Sequence, residues 1–291
     1  MLSDKNGGLA MRKTKYKEKW IPWLFFLPGL LGTLCFSLLS MVKVLISSFQ
    51  SAVGGSWRGI SNYKAVFENK AFQLALSNTV KFTAVCIPLL ILLSLALALM
   101  IRKYVWGGHL NTAFLMPMAV PAASVVLVWR VLFNHNGLLN RMGLLWGLQI
   151  DWMESGAAFW MLVISYLWKN TGYTMILWTA ALAGIPESIY EAAQVDGAND
   201  AQVFSYITLP NLKPAAFTII VLSLLNSFKV FREAWLVAGD YPHESMYLLQ
   251  HLYNNWFREL DFDMIAAASV LTSIVVFLLI VLLQKTWDRE V

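Results

Sequence analysis

Phe82-Thr-Ala-Val-Cys-Ile-Pro-Leu-Leu-Ile-Leu-Leu-Ser-Leu-Ala-Leu-Ala-Leu-Met-Ile101 is twenty residues without a formal charge. That is about the length at which a helix crosses the hydrocarbon core of a bilayer. Such a segment must also satisfy its own backbone polar groups, which a helix does. The same reading applies to Trp20–Val42, Leu110–Trp129 and Met264–Leu283, all uncharged. Two further runs are interrupted: Ser155–Leu182 contains Lys169, and Ala215–Leu236 contains Lys229, Arg232 and Glu233 near its end. The expectation is an all-α, polytopic membrane protein with six transmembrane helices.

Composition excludes the alternative of a soluble core. Of 291 residues, 58% are hydrophobic and only 13% charged, against about 25% charged in a typical soluble domain. Too little polar sequence is present to cover these runs with a wetted surface. Thirteen tryptophans fit aromatic belts at the membrane interfaces. Cys35 and Cys86 lie inside apolar runs and read as small hydrophobes. His109, His135, His243 and His251 show no metal-ligand spacing, so no metal site is expected.

Basic residues near span ends set orientation. The tail, residues 1–19, carries Lys5, Arg12, Lys13, Lys15, Lys17 and Lys19, which places it in the cytoplasm. Six spans return the C-terminus, with Lys285 and Arg289, to the same side. Residues 20–291 then form one transmembrane domain. Its expected connections are an outer segment with a Gly54-Gly55-Ser56 turn and an interfacial helix over Asn62–Leu76, then an inner turn at Gly107-Gly108 with Arg102 and Lys103 before it. Outer loops follow at 134–154 and 238–263, with an inner loop at 183–214. Pro88, Pro117 and Pro121 fall within spans, where the missing donor bends a helix.

The inner loop reads as two short helices. Pro186 suits a first helical position, with Glu187 in the first turn where the helix dipole favours an acid. Gly197 can take the left-handed conformation that ends a helix. Asn199 with Gln202 three residues on resembles a capping box, and Leu209-Pro210 is expected to stop the second helix before the fifth span. Glu187, Glu191, Asp196 and Asp200 stand with no basic residue between them, against the positive-inside trend. Physically this acidic face reads equally as solvated surface or as a docking element.

Spacing adds to that. Glu191-Ala192-Ala193, then Gly197, then Ile207-x-Leu209-Pro210 resembles the EAA loop of permeases from binding-protein-dependent ABC importers. The longer form Glu-Ala-Ala-x-x-Asp-Gly-Ala is present as Glu191–Ala198, with Asp196 and Ala198 included. Phe133-Asn134, Gly137-Leu-Leu-Asn140, Leu182-Ala-Gly184-Ile-Pro186 and Asn226-Ser-Phe-Lys-Val-Phe231 are similar to sugar-type permeases of the maltose and glycerol-phosphate group. Gly239-Asp-Tyr-Pro-His243 departs from the Gly-Gly-Pro turn of many relatives, which leaves the solute open.

The resemblance implies a permease in a bacterial or archaeal cytoplasmic membrane. Its partners would be two ATP-binding subunits docked on the loop, a second, homologous permease chain and an extracytoplasmic solute-binding protein. No nucleic acid is implied. ATP and magnesium would sit on the partner ATPase, since this chain has no phosphate-cradling Gly-x-x-x-x-Gly-Lys-Ser/Thr loop. No enzyme constellation is apparent. A secondary transporter or channel is the alternative class, but no internal repeat supports it.

Polar residues inside spans are costly and mark candidate solute contacts. Lys169, Asn170 and Tyr173 lie in the fourth span, and Asn226, Lys229 and Trp235 in or near the fifth. Lys169 reads as lining a wet cavity or pairing with an acid. Lys229 and Arg232 read more readily as snorkelling to the outer interface, and Trp235 as part of an aromatic belt.

Overall fold

The computed structural model describes residues 21–102, 107–145 and 147–288. The basic tail 1–19, Trp20, Lys103 and Arg289 lie outside the described residues. Among these the protein is helical without strands, apart from a single bridge between Gln50 and Trp57. Five helical stretches are long and apolar enough to cross a membrane: Pro22–Ser47, Lys70–Arg102, Ala122–Leu144, Asp200–Ala238 and Phe262–Trp287. The chain divides into two compact units, one from residues up to Val66 with Asp261–Thr272, the other from Phe67–Leu260 with Ser273 onward.

In the first unit, α1 (Ile21–Thr33) and α2 (Leu39–Ser47) are joined through a π-helical turn at Leu34–Leu38. Nothing in the apolar window of this stretch is buried, and Phe25 and Phe36 are about four-fifths exposed. Side chains of this kind belong against lipid or another protein. Beyond α2 the chain turns back on itself through Gly54 and Gly55, both at positive φ as the turn requires. Phe49 stacks on Trp57 at 5.4 Å, and Asn62 donates to the carbonyls of Ser48 (3.0 Å) and Gln50 (2.8 Å).

The expected interfacial helix does not run through to Leu76. It ends within α3 (Ser61–Glu68), and α4 (Lys70–Arg102) begins two residues later. Asn69 causes the break, because its side-chain oxygen accepts from the Phe72 backbone N–H (3.1 Å) as an N-cap does. At 33 residues α4 is about 50 Å long.

The third expected span is also divided. Gly107 and Gly108 do not form a turn; they open α5 (Gly107–Ala119). The helix then breaks before Pro121, which takes an extended ψ of 139° and becomes the N-cap of α6 (Ala122–Phe133). Pro117 and Pro88 stay inside helices. After α7 (Leu138–Leu144), Asn140 holds the loop. It accepts from the Ile150 N–H and the Trp152 indole and donates to the carbonyls of His135 and Ile150.

At the centre of the second unit stands α8 (Ala158–Ala183), which has buried residues from Ala158 to Leu182 and an exposed face at Trp160, Ile164 and Trp168. Two clusters of apolar side chains pack on it. One joins Phe82, Cys86 and Leu90 of α4 to Met161 and Tyr166. The other joins Leu95, Ala98 and Ile101 to Met175, Trp178 and Leu182. Because α8 faces protein on many sides, it can carry the Lys169–Tyr173 polar stretch that keeps it out of the five apolar stretches. Gly172 makes the packing possible, since a Cβ there would lie 1.8 Å from the Phe114 carbonyl oxygen of α5.

Candidate translocation cavity and coupling loop

The loop after α8 is built largely as its residues dictate. Pro186 is the N-cap, one position earlier than expected, because its extended ψ of 134° is not helical; Glu187 opens α9 (Glu187–Val195). At the far end Gly197 has φ +75°. The Gly197 N–H donates to the Gln194 carbonyl (3.0 Å) and the Ala198 N–H to that of Ala193 (2.9 Å). This pair of bonds is the Schellman closure. Asn199 and Gln202 then make the reciprocal capping box that opens α10 (Asp200–Val203), with both bonds at 2.9 Å.

The second helix does not stop at Leu209-Pro210. It passes through a π-helical turn, Phe204–Thr208, into α11 (Leu209–Ser227) without interruption. The Leu209 N–H reaches back five residues to Phe204 (i→i−5). That wider turn relieves the clash a proline ring makes with the carbonyl four residues earlier, so Pro210 sits in the first turn of α11 at little cost.

Within the loop Glu191, Ala192, Asp196 and Gly197 are exposed, whereas Ala193 is turned inward and buried. Only Ala192 of the alanine pair therefore offers close approach to a partner. Ile207 lines a shallow depression of about 300 Å³ with Asp196, Gly197, Ala198, Gln202, Val203 and Tyr206. Leu209 and Pro210 are exposed beyond it. Tyr190 braces α9: the Arg102 guanidinium lies 4.3 Å over its ring, and its hydroxyl is 3.3 Å from Thr208 Oγ1. The short helix is thereby tied to the ends of both α4 and the π-turn leading into α11.

A second site lies between α8 and the end of α11. The helix continues through a 3₁₀ turn, Phe228–Val230, into α12 (Phe231–Ala238). A cavity of about 110 Å³ is lined there by Ser165, Tyr166, Lys169 and Asn170 from one side, and by Asn226, Lys229, Arg232 and Glu233 from the other. Met118 and Val230 add apolar wall. Lys169 Nζ donates to Glu233 Oε1, and Glu233 is almost wholly buried. Both readings of Lys169, cavity wall and acid partner, describe its position. Tyr166 donates to the Ser223 carbonyl (2.8 Å), Asn170 to the Tyr166 carbonyl (2.8 Å) and Lys229 to Asn226 Oδ1 (2.8 Å).

Tyr173 and Trp235 are outside the cavity lining. Tyr173 is half-buried one turn along α8. Trp235 instead donates its indole N–H to Asp240 Oδ1 (2.7 Å). That bond, with the Arg258 guanidinium, holds the Asp240 carboxyl below the usual range. Sequence reasoning missed Ser165, Tyr166 and Glu233 as cavity residues. Ser165 Oγ is buried without a partner at the cavity wall, a fact that only packing reveals.

An ion-paired polar cavity inside a bundle of apolar helices, together with a braced acidic helix, fits a transport domain. The family profile "Binding-protein-dependent transport system inner membrane component" matches residues 65–291. The chain belongs to this family. It is 30% identical over 272 residues to the trehalose/maltose transport system permease protein MalF of Thermococcus litoralis, covering 91% of this chain and 92% of that one. It is also 30% identical over 296 residues to the sn-glycerol-3-phosphate transport system permease protein UgpA of Salmonella typhimurium, covering 97% and 99%. Among solved structures, a bacterial ABC transporter involved in import of the acidic polysaccharide alginate superposes with a TM-score of 0.83. The match has 22% identity, covers 96% of this chain and 99% of that one, and shows the shared fold. As a binding-protein-dependent permease component, the protein is a multi-pass inner-membrane protein.

Proposed function

We propose that this permease component carries a carbohydrate-class solute and is driven by an ATPase seated on the 183–214 loop. The observation that carries the reading is α9, an exposed, acid-only helix that Tyr190 ties to Arg102 on α4 and to Thr208 before α11. A push on α9 is thus transmitted to two long helices, one of which leads into the cavity wall. Family membership supports the assignment, and the named transport systems of the relatives support the solute class.

In this reading residues 1–19, the C-terminus and α9 lie on the cytoplasmic side, and six helices cross the bilayer, with α8 and the α5–α6 pair among them. ATP and magnesium bind two partner subunits. A second permease chain completes the pathway, and an extracytoplasmic binding protein delivers the solute. Closure of the ATPases moves α9, and the helices swing so that the cavity opens alternately to each side. Coupling requires that ATP and solute favour the same state.

The test uses the assembled importer in liposomes. Ala192→Trp, on the exposed face of α9, should lower solute-stimulated ATP hydrolysis and uptake at least about tenfold while solute binding to the receptor persists. Undiminished uptake in that variant, or uptake driven by an ion gradient without ATP, would sink the reading.

A further inference from the structure

The cavity between α8 and α12 has a charge balance that a neutral solute does not use. Lys169, Lys229 and Arg232 face one carboxylate, Glu233, which leaves a formal charge of +2 at the wall. Glu233 is committed to Lys169. Lys229 donates only to a neutral amide oxygen, Asn226 Oδ1. Among the described residues neither Lys229 nor Arg232 is in an ion pair, and the two stand three residues apart, on neighbouring turns. Both are exposed where they line the cavity, so a solute can reach them, and ionisable residues of a membrane domain that line a cavity mark solute pathways.

Hydrogen bonding points the same way. Ser165 Oγ is buried at this wall with no partner, a donor waiting for an acceptor. A guanidinium, an ammonium and a hydroxyl lining one cavity suit an oxyanion, which accepts from all three.

We propose that the cavity recognises an anionic group on the transported solute, a carboxylate or a phosphate, held by Arg232, Lys229 and Ser165. The inference rests on the carbohydrate-importer reading above and narrows it to acidic sugars or sugar phosphates. The Lys169–Glu233 pair lies beside the anion. It cancels the charge of the half-buried Lys169 so that Arg232 and Lys229 set the selectivity.

The complete importer, reconstituted with its receptor and ATPase, is offered a uronic-acid disaccharide, a sugar phosphate and a size-matched neutral disaccharide. Uptake of at least one acidic solute and not of the neutral one is expected. Arg232→Gln and Lys229→Gln should each raise KM for the acidic solute about tenfold, the loss of one charge-assisted contact. Arg232→Lys should recover part of that loss.

Uptake of the neutral disaccharide with a KM indifferent to both variants overturns the inference and leaves the carbohydrate reading intact. Uptake of some other solute class and of none of these three overturns both. Repeating the variants in phosphatidylcholine liposomes with and without phosphatidylglycerol separates the remaining source of phosphate. An effect that follows the anionic lipid and not the charge on the solute assigns the two cations to lipid headgroups, and the inference falls.

Discussion

Lys169 of α8 and Glu233 of α12 form an ion pair across 64 residues of sequence, with the carboxylate almost fully buried. Attraction in such a place offsets desolvation only while both partners are present. Lys169→Met strands the carboxylate and should cost on the order of 2–4 kcal/mol of stability. The double variant Lys169→Met, Glu233→Leu should recover most of it. Thermal unfolding of the purified protein in detergent measures both, and a double variant no better than the single one would contradict the pairing argument.

The contact between α8 and α5 depends on the absence of one atom. A Cβ at Gly172 would meet the Phe114 carbonyl oxygen at 1.8 Å and its carbon at 2.4 Å, both backbone. Gly172→Ala must therefore push two helices apart, at about 3 kcal/mol or more. Gly156→Ala meets nothing within 4 Å and should stay within about 0.5 kcal/mol. Yield of monodisperse protein and melting temperature distinguish the two.

At Gly197 the constraint is conformational. Its φ of +75° closes α9, and a Cβ there would touch nothing. Gly197→Ala is expected to cost about 1 kcal/mol through backbone strain alone. Gly197→Asn, which tolerates this region better, should cost less. Amide exchange at Asp196–Ala198 should accelerate in the alanine variant, and stimulated ATP hydrolysis should fall alongside it.

Tyr190 offers a separable test of the brace on α9. Tyr190→Phe keeps the ring beneath Arg102 and should leave transport near normal. Tyr190→Ala removes the ring and with it about 0.5–2 kcal/mol of cation–π attraction. Uptake should drop in the second variant only.

His251 makes stability depend on pH. It lies in α13 (Leu249–Arg258), outside the membrane-spanning helices, where Nδ1 accepts from the Leu248 N–H (3.2 Å) and burial lowers its pKa from 6.5 to about 4. Between those values the unfolded chain binds the proton and the folded one does not, so stability rises with pH. Its contribution is fully present above pH 6.5 and is lost as pH falls toward 4, by roughly 3 kcal/mol if the whole shift is realised. In His251→Gln, which does not titrate, the melting temperature should flatten across that window.

The loop 183–214 shows why some features could be read in advance. Gly197, Asn199 and Gln202 act through their own backbone or partners within five residues, so spacing alone predicts the helix end and the capping box. Pro210 fails the same treatment, because its cost depended on whether the preceding turn could widen, and the π-turn at Phe204–Thr208 allowed it. Asn69 was readable by the same rule as Asn199, since its bond to Phe72 is equally local.

The wall of the cavity was legible only in part. Lys169, Asn170, Asn226 and Lys229 stood out because polar groups within apolar runs need an explanation. Tyr173 and Trp235 stood out too, yet face elsewhere, since the turn that a side chain takes is set by neighbouring helices.

By itself the sequence determined that this is a helical membrane protein with an acidic, capped loop between its later spans. Charge density, run length and short-range spacing are properties of the chain alone. Only the tertiary structure decided that Glu233 is the partner of Lys169, that Ser165 is left without one, and that Ala193 turns inward while Ala192 does not. Those outcomes follow from which helices pack on α8, and long-range packing is settled by all the contacts at once.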